Sequence, residues 1–180
     1  MNTVAIRSIA QCALCIGAMT AFSSAQAHIT LEYQVAMAGS AYKATFRVGH
    51  GCGASPIRQI VVTIPPGVRG AKPMPKPGWT IEIGREPSAA GGGTAEVSRI
   101  SWTAKTRDDY LQTAHYDEFV LQARLPAKPG PIYWPVSQVC EEGRTDWAEL
   151  PQPGQKLSDL KAPAAYLDVL PADGAGAHNH

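Results

Sequence analysis

Proline and glycine divide this chain into short segments, and their spacing constrains the fold more than any other feature of the sequence. Fifteen prolines and 17 glycines fall among 180 residues. The β-branched segment 57–64 ends at Pro65-Pro66-Gly67, through which no strand can continue. The segment 42–48 alternates apolar and polar residues, which is typical of a half-buried strand. The sequence therefore predicts short strands rather than long helices.

About nine such strand candidates follow one another, and no segment has a strong helical period. The remaining candidates are 28–33, 79–83, 96–102, 118–125, 132–139, 144–149 and 166–170. One helical turn is expected within 108–114, and the glycines at 91–93 are expected to form a flexible turn. This pattern predicts an all-β fold, a single-domain β-sandwich of Greek-key or immunoglobulin-like style over residues 28–170.

The first 27 residues have the composition of a bacterial secretory leader. Arg7 precedes an apolar run at 9–22, and Ala25-Gln26-Ala27 is a small-residue cleavage signal. The run is short and interrupted for a membrane span, so we expect cleavage after Ala27 and a periplasmic or secreted product. An uncleaved anchor is the alternative. The small, polar segment 171–180 is expected to be a disordered tail.

Removal of this leader would leave a formally neutral chain. The full sequence has 16 basic and 15 acidic side chains, and Arg7 is the only charged residue of the leader. Nucleic acids and acidic membrane surfaces both require a basic surface on the protein that binds them. Neither is therefore expected as a partner, and no later segment is apolar enough to span a bilayer.

The cysteines predict one disulfide. Cys12 and Cys15 would leave with the leader, so that Cys52 and Cys140 remain. An even pair in an oxidising compartment favours a disulfide, expected here to lie beyond strand ends and join loops at one end of the sandwich. It would close a loop of about 88 residues, for which the chain-entropy model gives about 4–5 kcal/mol. A thiol metal site is the alternative.

Familiar catalytic motifs are absent from the sequence. There is no G-x-S-x-G and no Gly-rich loop followed by Lys and Ser or Thr, and the part after the leader has neither HExxH nor CxxC. A disulfide between Cys52 and Cys140 would also leave no cysteine to act as a nucleophile. We therefore expect a binding protein rather than an enzyme.

Cleavage after Ala27 would make His28 the first residue of the mature chain. The α-amine and the ring Nδ1 of an N-terminal histidine can close a six-membered chelate on one metal ion. Amine plus imidazole is a nitrogen-rich set of ligands that suits Cu(II) best among divalent ions. The sequence thus predicts a Cu(II) site at His28, and a histidine there by chance is the alternative.

Other candidate ligands are scattered along the chain. The segment 115–119 places His115, Asp117 and Glu118 at the start of a strand, and alternation puts Glu118 on the face opposite Phe119. An ordinary solvated acidic edge is the alternative interpretation.

Three further features could belong to a metal site, and each also has an ordinary structural interpretation. His50 lies next to the expected disulfide and is interpreted as a loop histidine. Tryptophans belong more often to a core than to a site, but Trp147 is flanked by acidic residues just after the second cysteine. His178 and His180 could bind metal only weakly, because a flexible tail does not pre-organise them.

Four segments of this chain resemble the YcnI-like family, in the order in which the family has them. They are AHITLE at 27–32, KPMPKPGW at 72–79, HYDEF at 115–119 and QVCEEGRTDW at 138–147. The resemblance extends over about 28–170, and the second and third segments are the most specific.

What this resemblance implies is an exported β-sandwich that binds Cu(II) through its mature N-terminal histidine, in a mono-histidine brace with an acidic residue and a tryptophan nearby. Carried over to this chain, His28 is the chelating residue and Trp147 the tryptophan. The acidic residue is Glu118, Asp117 or Glu32. Many members of the family also have a C-terminal membrane helix or a second copper domain, and neither is evident in this sequence.

The expected function is that of a copper chaperone or buffer that passes Cu(II) to other exported or membrane copper-handling proteins. The alternative is an oxidative copper enzyme resembling the histidine-brace polysaccharide monooxygenases. Those enzymes need a second histidine on the metal, which only His50 or His115 could supply. A sandwich with a structural or adhesive role would bind no stoichiometric metal.

Overall fold

Within residues 28–87 and 95–172, which the computed structural model describes, twelve strands form three sheets. In chain order they are β1 (Thr30–Leu31), β2 (Val35–Met37), β3 (Ala41–Val48), β4 (Ile57–Thr63), β5 (Arg69–Pro73), β6 (Trp79–Pro87), β7 (Ala95–Ala104), β8 (Asp117–Arg124), β9 (Gly130–Trp134), β10 (Val136–Cys140), β11 (Arg144–Trp147) and β12 (Ala165–Leu170). The predicted leader at 1–27, the glycines at 91–93 and the predicted tail from 173 onward lie outside the described residues.

The three sheets are built almost entirely from antiparallel pairs. Their strand orders are β1-β3-β8-β5, β11-β10-β4-β7-β6 and β2-β12-β9, and β2 with β12 is a parallel pair. The helical structure of the described residues consists of the 3₁₀ turns Arg107–Asp109 and Leu157–Asp159. None of it is long and apolar enough to cross a membrane. The predicted all-β sandwich is confirmed.

Alternating side chains build the core between the sheets. Successive residues of a strand point to opposite faces, so every second residue of β3 and β8 can be buried. Phe46 of β3 and Phe119 of β8 lie directly opposite each other and are fully buried. The ring of Phe119 meets the edges of Trp79 and Trp102, with centroid distances of 5.0 and 5.8 Å. Truncating such a side chain to alanine costs about 3–5 kcal/mol.

The prediction of one strand over 132–139 is wrong, because two strands lie there. β9 belongs to the three-stranded sheet and β10 to the five-stranded sheet, and Pro135 lies between them. Proline has no amide hydrogen to donate, so it interrupts a ladder of backbone hydrogen bonds. Its carbonyl still accepts a hydrogen bond from the Thr63 amide at 2.9 Å.

Two strands of the structure have no counterpart among the predictions. β2 has only three residues, and β5 begins Arg69-Gly70 and ends at Pro73, which is a turn-like composition. The expected helical turn within 108–114 is a 3₁₀ turn that starts at Arg107 and ends at Asp109. Leu111 instead forms a bridge with Ile57.

The predicted disulfide between Cys52 and Cys140 is present, with 6.0 Å between the Cα atoms. Only Cys52 lies in a loop, between β3 and β4, whereas Cys140 is the last residue of β10 and not beyond it. The bond thus holds the β3–β4 loop against the five-stranded sheet. Gly51 fits this tight loop because a Cβ there would lie 1.9 Å from the Ser55 carbonyl oxygen.

Candidate metal site

The rings of His28 and Trp147 contact each other at one end of the sandwich. Their centroids are 5.6 Å apart, and the ring planes meet at 60°, which is an edge-on arrangement. His28 precedes β1 of the four-stranded sheet, and Trp147 ends β11 of the five-stranded sheet. The contact therefore joins the first residue of the predicted mature chain to the opposite sheet.

The chain that follows His28 is anchored in the core. Ile29 and Leu31 are 2% and 1% exposed, and Thr30 pairs with Arg47 of β3. Because β1 and β3 are antiparallel, the chain before Thr30 runs alongside the chain after Arg47. His28 is thus directed towards the start of the β3–β4 loop, in which His50 lies.

Trp147 is held by a buried hydrogen bond. Its indole is 4% exposed, and its Nε1–H donates to the Oε1 atom of Gln138 at 2.9 Å. An indole nitrogen carries a hydrogen and can only donate, so Trp147 offers His28 its ring and no lone pair. The indole can therefore shield a metal on His28 without being an ordinary ligand.

Gln138 links Trp147 to the β3–β4 loop. It is 1% exposed, and its Nε2 donates to the backbone carbonyl of His50 at 2.8 Å. Val136, Gln138 and Cys140 are the buried residues of β10, since alternate side chains face the same side. Sequence reasoning missed Gln138, although a lone amide among apolar residues at this spacing is the signal that could have found it.

His50 also contacts Trp147. The centroids of the two rings are 6.5 Å apart with an interplanar angle of 67°. The Nδ1 atom lies 2.8 Å from the carbonyl oxygen of Gly51, and Nε2 is buried with no hydrogen-bond partner among the described residues. The interpretation of His50 as a loop histidine is right about its place in the chain and omits this contact.

Two of the three candidate acids, Asp117 and Glu118, lie at the start of β8. Asp117 forms an ion pair with Lys76 at 2.6 Å and accepts a hydrogen bond from the Glu118 amide at 2.8 Å. The Glu118 carboxylate accepts a hydrogen bond from the Tyr116 hydroxyl. Partial burial and this hydrogen bond raise the pKa of Tyr116. Both carboxylates thus have partners other than His28.

Glu32, the third candidate acid, is exposed directly after β1. Its amide donates to the Thr45 carbonyl at 3.0 Å. Burial, and secondarily the negative charge of Glu32, raises the pKa of Tyr42 well above its ordinary value. A ligand role for Glu32, Asp117 or Glu118 stays a prediction.

The side chains of the described residues form no group of three His, Cys, Asp or Glu that could hold a metal ion by themselves. A site at His28 would therefore rest on its ring and on the α-amine that cleavage would free, with the ring of His50 against the same indole. All of these donors are nitrogen atoms, and nitrogen donors suit Cu(II). The residues around Trp147 thus fit the predicted ion. His115 is exposed in the loop before β8.

A model of a domain family of unknown function, DUF1775, matches residues 28–169. The chain belongs to the DUF1775 family. This is the same family as the YcnI-like proteins, so the resemblance seen in the four sequence segments is confirmed. Membership in the family assigns no ligand to the chain, because the family is one of unknown function.

The fold of this DUF1775 chain is similar to that of an uncharacterised protein from Nocardia farcinica, whose crystal structure has an immunoglobulin-like fold. The TM-score is 0.65 at 26% sequence identity, and the match covers 79% of this chain and 97% of the other. The immunoglobulin-like style predicted from the strand pattern is thereby confirmed. No curated protein matches the chain.

Proposed function

We propose that the mature protein binds one Cu(II) ion at His28 and serves as a copper chaperone or buffer in the periplasm or outside the cell. The observation that carries this proposal is the edge-on contact between His28 and Trp147, at 5.6 Å between centroids. It supports a chelating residue that is docked on the domain, with Ile29 and Leu31 buried directly behind it. A free N-terminal tail would have no such anchor.

The α-amine and Nδ1 of His28 would hold the ion. The amine has an ordinary pKa of about 7.7–8.0, so copper must displace a proton from it near neutral pH. Binding should therefore release protons and weaken as the pH falls. Trp147 would cover one side of the ion and could make a cation–π contact with it through the face of its ring. Its Nε1–H donates to Gln138 and takes no part in that contact.

A chelate of this kind leaves coordination positions open, which suits transfer to another protein. An incoming ligand can bind the ion before the chain releases it, so copper need never be free in solution. We infer that the recipients are other exported or membrane copper-handling proteins. The formally neutral charge of the chain after loss of Arg7 favours neither nucleic acid nor an acidic membrane surface instead.

The test is a copper titration of protein exported with its own leader, with mass spectrometry to establish that His28 is first. We expect one Cu(II) per chain and an electron paramagnetic resonance spectrum with nitrogen couplings. The matched control is His115→Ala, which removes an exposed histidine and should bind as the native protein does. His28→Ala should lose the signal, and equal binding by both variants would contradict the proposal.

The second candidate function is an oxidative copper enzyme resembling the histidine-brace polysaccharide monooxygenases. One observation favours it, namely that His50 shares the indole of Trp147 with His28. Copper-loaded protein supplied with a reductant, oxygen and a polysaccharide separates the two functions. A chaperone or buffer yields no oxidised oligosaccharides and gives up its copper to a competing chelator, whereas sustained oxidative cleavage would favour the enzyme.

A further inference from the structure

The contact between the His50 ring and the Gly51 carbonyl assigns one tautomer to the neutral ring. Its Nδ1 lies 2.8 Å from the carbonyl oxygen of Gly51, and a carbonyl oxygen only accepts hydrogen bonds. In the neutral ring Nδ1 therefore carries the hydrogen, and Nε2 carries a lone pair. A hydrogen bond from one ring nitrogen to a backbone carbonyl is the usual way in which a metal-binding histidine is oriented through its other nitrogen.

The lone pair on Nε2 has no partner among the described residues. Nε2 is one of three buried side-chain nitrogen or oxygen atoms there without a hydrogen bond. The other two are Thr45 Oγ1 and Trp134 Nε1, neither of which is a strong metal ligand. Buried polar atoms nearly always have partners, so an unpaired acceptor beside the candidate site requires an explanation.

His50 and His28 lie around the same indole. Their centroids are 6.5 and 5.6 Å from that of Trp147, and both rings meet it edge-on. The antiparallel pairing of Thr30 with Arg47 brings the chain that begins at His28 alongside the chain that leads to His50. The shared indole and the strand register thus both place the two histidines at the same end of the sandwich, beside Trp147.

We propose that Nε2 of His50 is a ligand of the copper ion that His28 chelates. This inference rests on the proposed function and adds a second histidine to it. The set of ligands becomes three nitrogen atoms, namely the α-amine and Nδ1 of His28 and Nε2 of His50. Such a set needs no carboxylate, in agreement with the ion pair and hydrogen bonds that already engage Asp117 and Glu118.

The disulfide and Gln138 keep His50 in position for this role. Cys52 follows His50 by two residues and is bonded to Cys140, while the Gln138 amide holds the His50 carbonyl at 2.8 Å. The loop that carries His50 is therefore attached to the same strand whose glutamine holds Trp147. Reduction of the disulfide should loosen His50 and leave His28 in place before β1.

Pulsed electron paramagnetic resonance on the native exported protein with one equivalent of Cu(II) counts the coordinated imidazoles through their remote nitrogens. We expect two in the native protein and in His115→Gln, and one in His50→Gln. The last variant should also bind copper at least tenfold more weakly, or about 1.4 kcal/mol. Near- and far-ultraviolet circular dichroism checks that each variant is folded.

The outcomes separate the two proposals. One imidazole in native protein that binds one Cu(II) overturns the role of His50 and leaves the proposed function standing. Two imidazoles that persist in folded His50→Gln overturn it as well and assign the second ligand to another histidine. Native protein that binds no copper overturns the proposed function and this inference together. If His50→Gln does not fold, a count of one in the native protein overturns the role of His50, and a count of two that persists in His115→Gln and in the double variant His178→Gln, His180→Gln supports it.

Discussion

The imidazole of His28 stands edge-on to the indole of Trp147, with 5.6 Å between the ring centroids. The two residues lie far apart in the chain: His28 precedes β1 of the four-stranded sheet, and Trp147 ends β11 of the five-stranded sheet. A hydrogen bond to Gln138 fixes the indole, and the buried residues of β1 fix the chain behind the imidazole. The positions of both rings are therefore a product of the fold, whereas the α-amine that we propose as a ligand would depend on cleavage after Ala27.

Replacing Trp147 with phenylalanine should remove most of the quenching of tryptophan fluorescence by Cu(II), because quenching falls steeply with distance. The variant also leaves Gln138 Oε1 without its donor, which should cost about 1–3 kcal/mol of stability. Trp79→Phe is the matched control and should keep the quenching, since Trp79 packs on Phe119 in the core. Unchanged quenching in Trp147→Phe would move the site towards Trp79 or Trp102.

Gln138→Leu should destabilise the protein by about 1–3 kcal/mol, because the buried Trp147 Nε1–H loses its acceptor. It should also weaken copper binding, since the His50 carbonyl loses the amide that holds it. Urea unfolding and a copper titration measure the two effects. The exposed Gln122→Leu on β8 serves as the control and should change neither. If Gln138→Leu has the same stability and the same copper affinity as Gln122→Leu, Gln138 supports neither the fold nor the site.

The exported, denatured but unreduced protein should show no reactive thiols, because Cys52 and Cys140 are bonded to each other. The double variant Cys52→Ser, Cys140→Ser should lose up to about 4–5 kcal/mol of stability in the chain-entropy model. Thiol labelling and denaturant unfolding are the measurements. Two labelled thiols per unreduced chain would contradict the assignment.

The stability contributed by Asp146 should depend on pH. Hydrogen bonds from Arg144 and Ser137 lower the pKa of this carboxyl. A lowered folded-state pKa means that the contribution is complete above the unfolded value of about 3.9 and is lost as the pH falls through the folded value. Asp146→Asn should therefore cost less than about 1 kcal/mol at pH 7, because the pair is half-exposed, and nothing in strong acid.

Denaturant unfolding of Asp146→Asn and of the native protein, at pH 7 and in strong acid, measures the difference in their free energies of unfolding. The exposed Asp108→Asn is the control, and its effect should be the same at both. A loss of stability in Asp146→Asn that becomes larger as the pH falls would contradict the prediction.

Local patterns were enough to predict much of the sandwich. The alternation at 42–48 and the β-branched run at 57–64 became β3 and β4, because each carries its own burial pattern. The short strands β2 and β5 were missed since pairing with neighbours, rather than composition, makes them strands. The segment 132–139 divides at Pro135 because β9 and β10 join different sheets. The local sequence of the segment does not specify which sheet each strand joins.

The candidate site was predictable only in part. His28 followed from the cleavage signal and Trp147 from the family resemblance, each by position in the chain. Gln138 and the contact of His50 with Trp147 come from sheet register and from the disulfide, which bring distant segments together. Their charge makes Asp117 and Glu118 candidate ligands in the sequence, whereas their pairing with Lys76 and Tyr116 depends on the fold.

The most direct test of the copper site asks whether His28 must be first and not merely present. One extra residue before His28 keeps the imidazole but converts the α-amine into a peptide amide, which is a far poorer ligand near neutral pH. We predict that this extended chain binds Cu(II) at least tenfold more weakly than the native mature chain, about 1.4 kcal/mol or more, with His28→Ala losing at least as much. Equal affinity of all three forms would contradict the account and leave His50, His115 and the histidines at 178 and 180 as the ligands to examine.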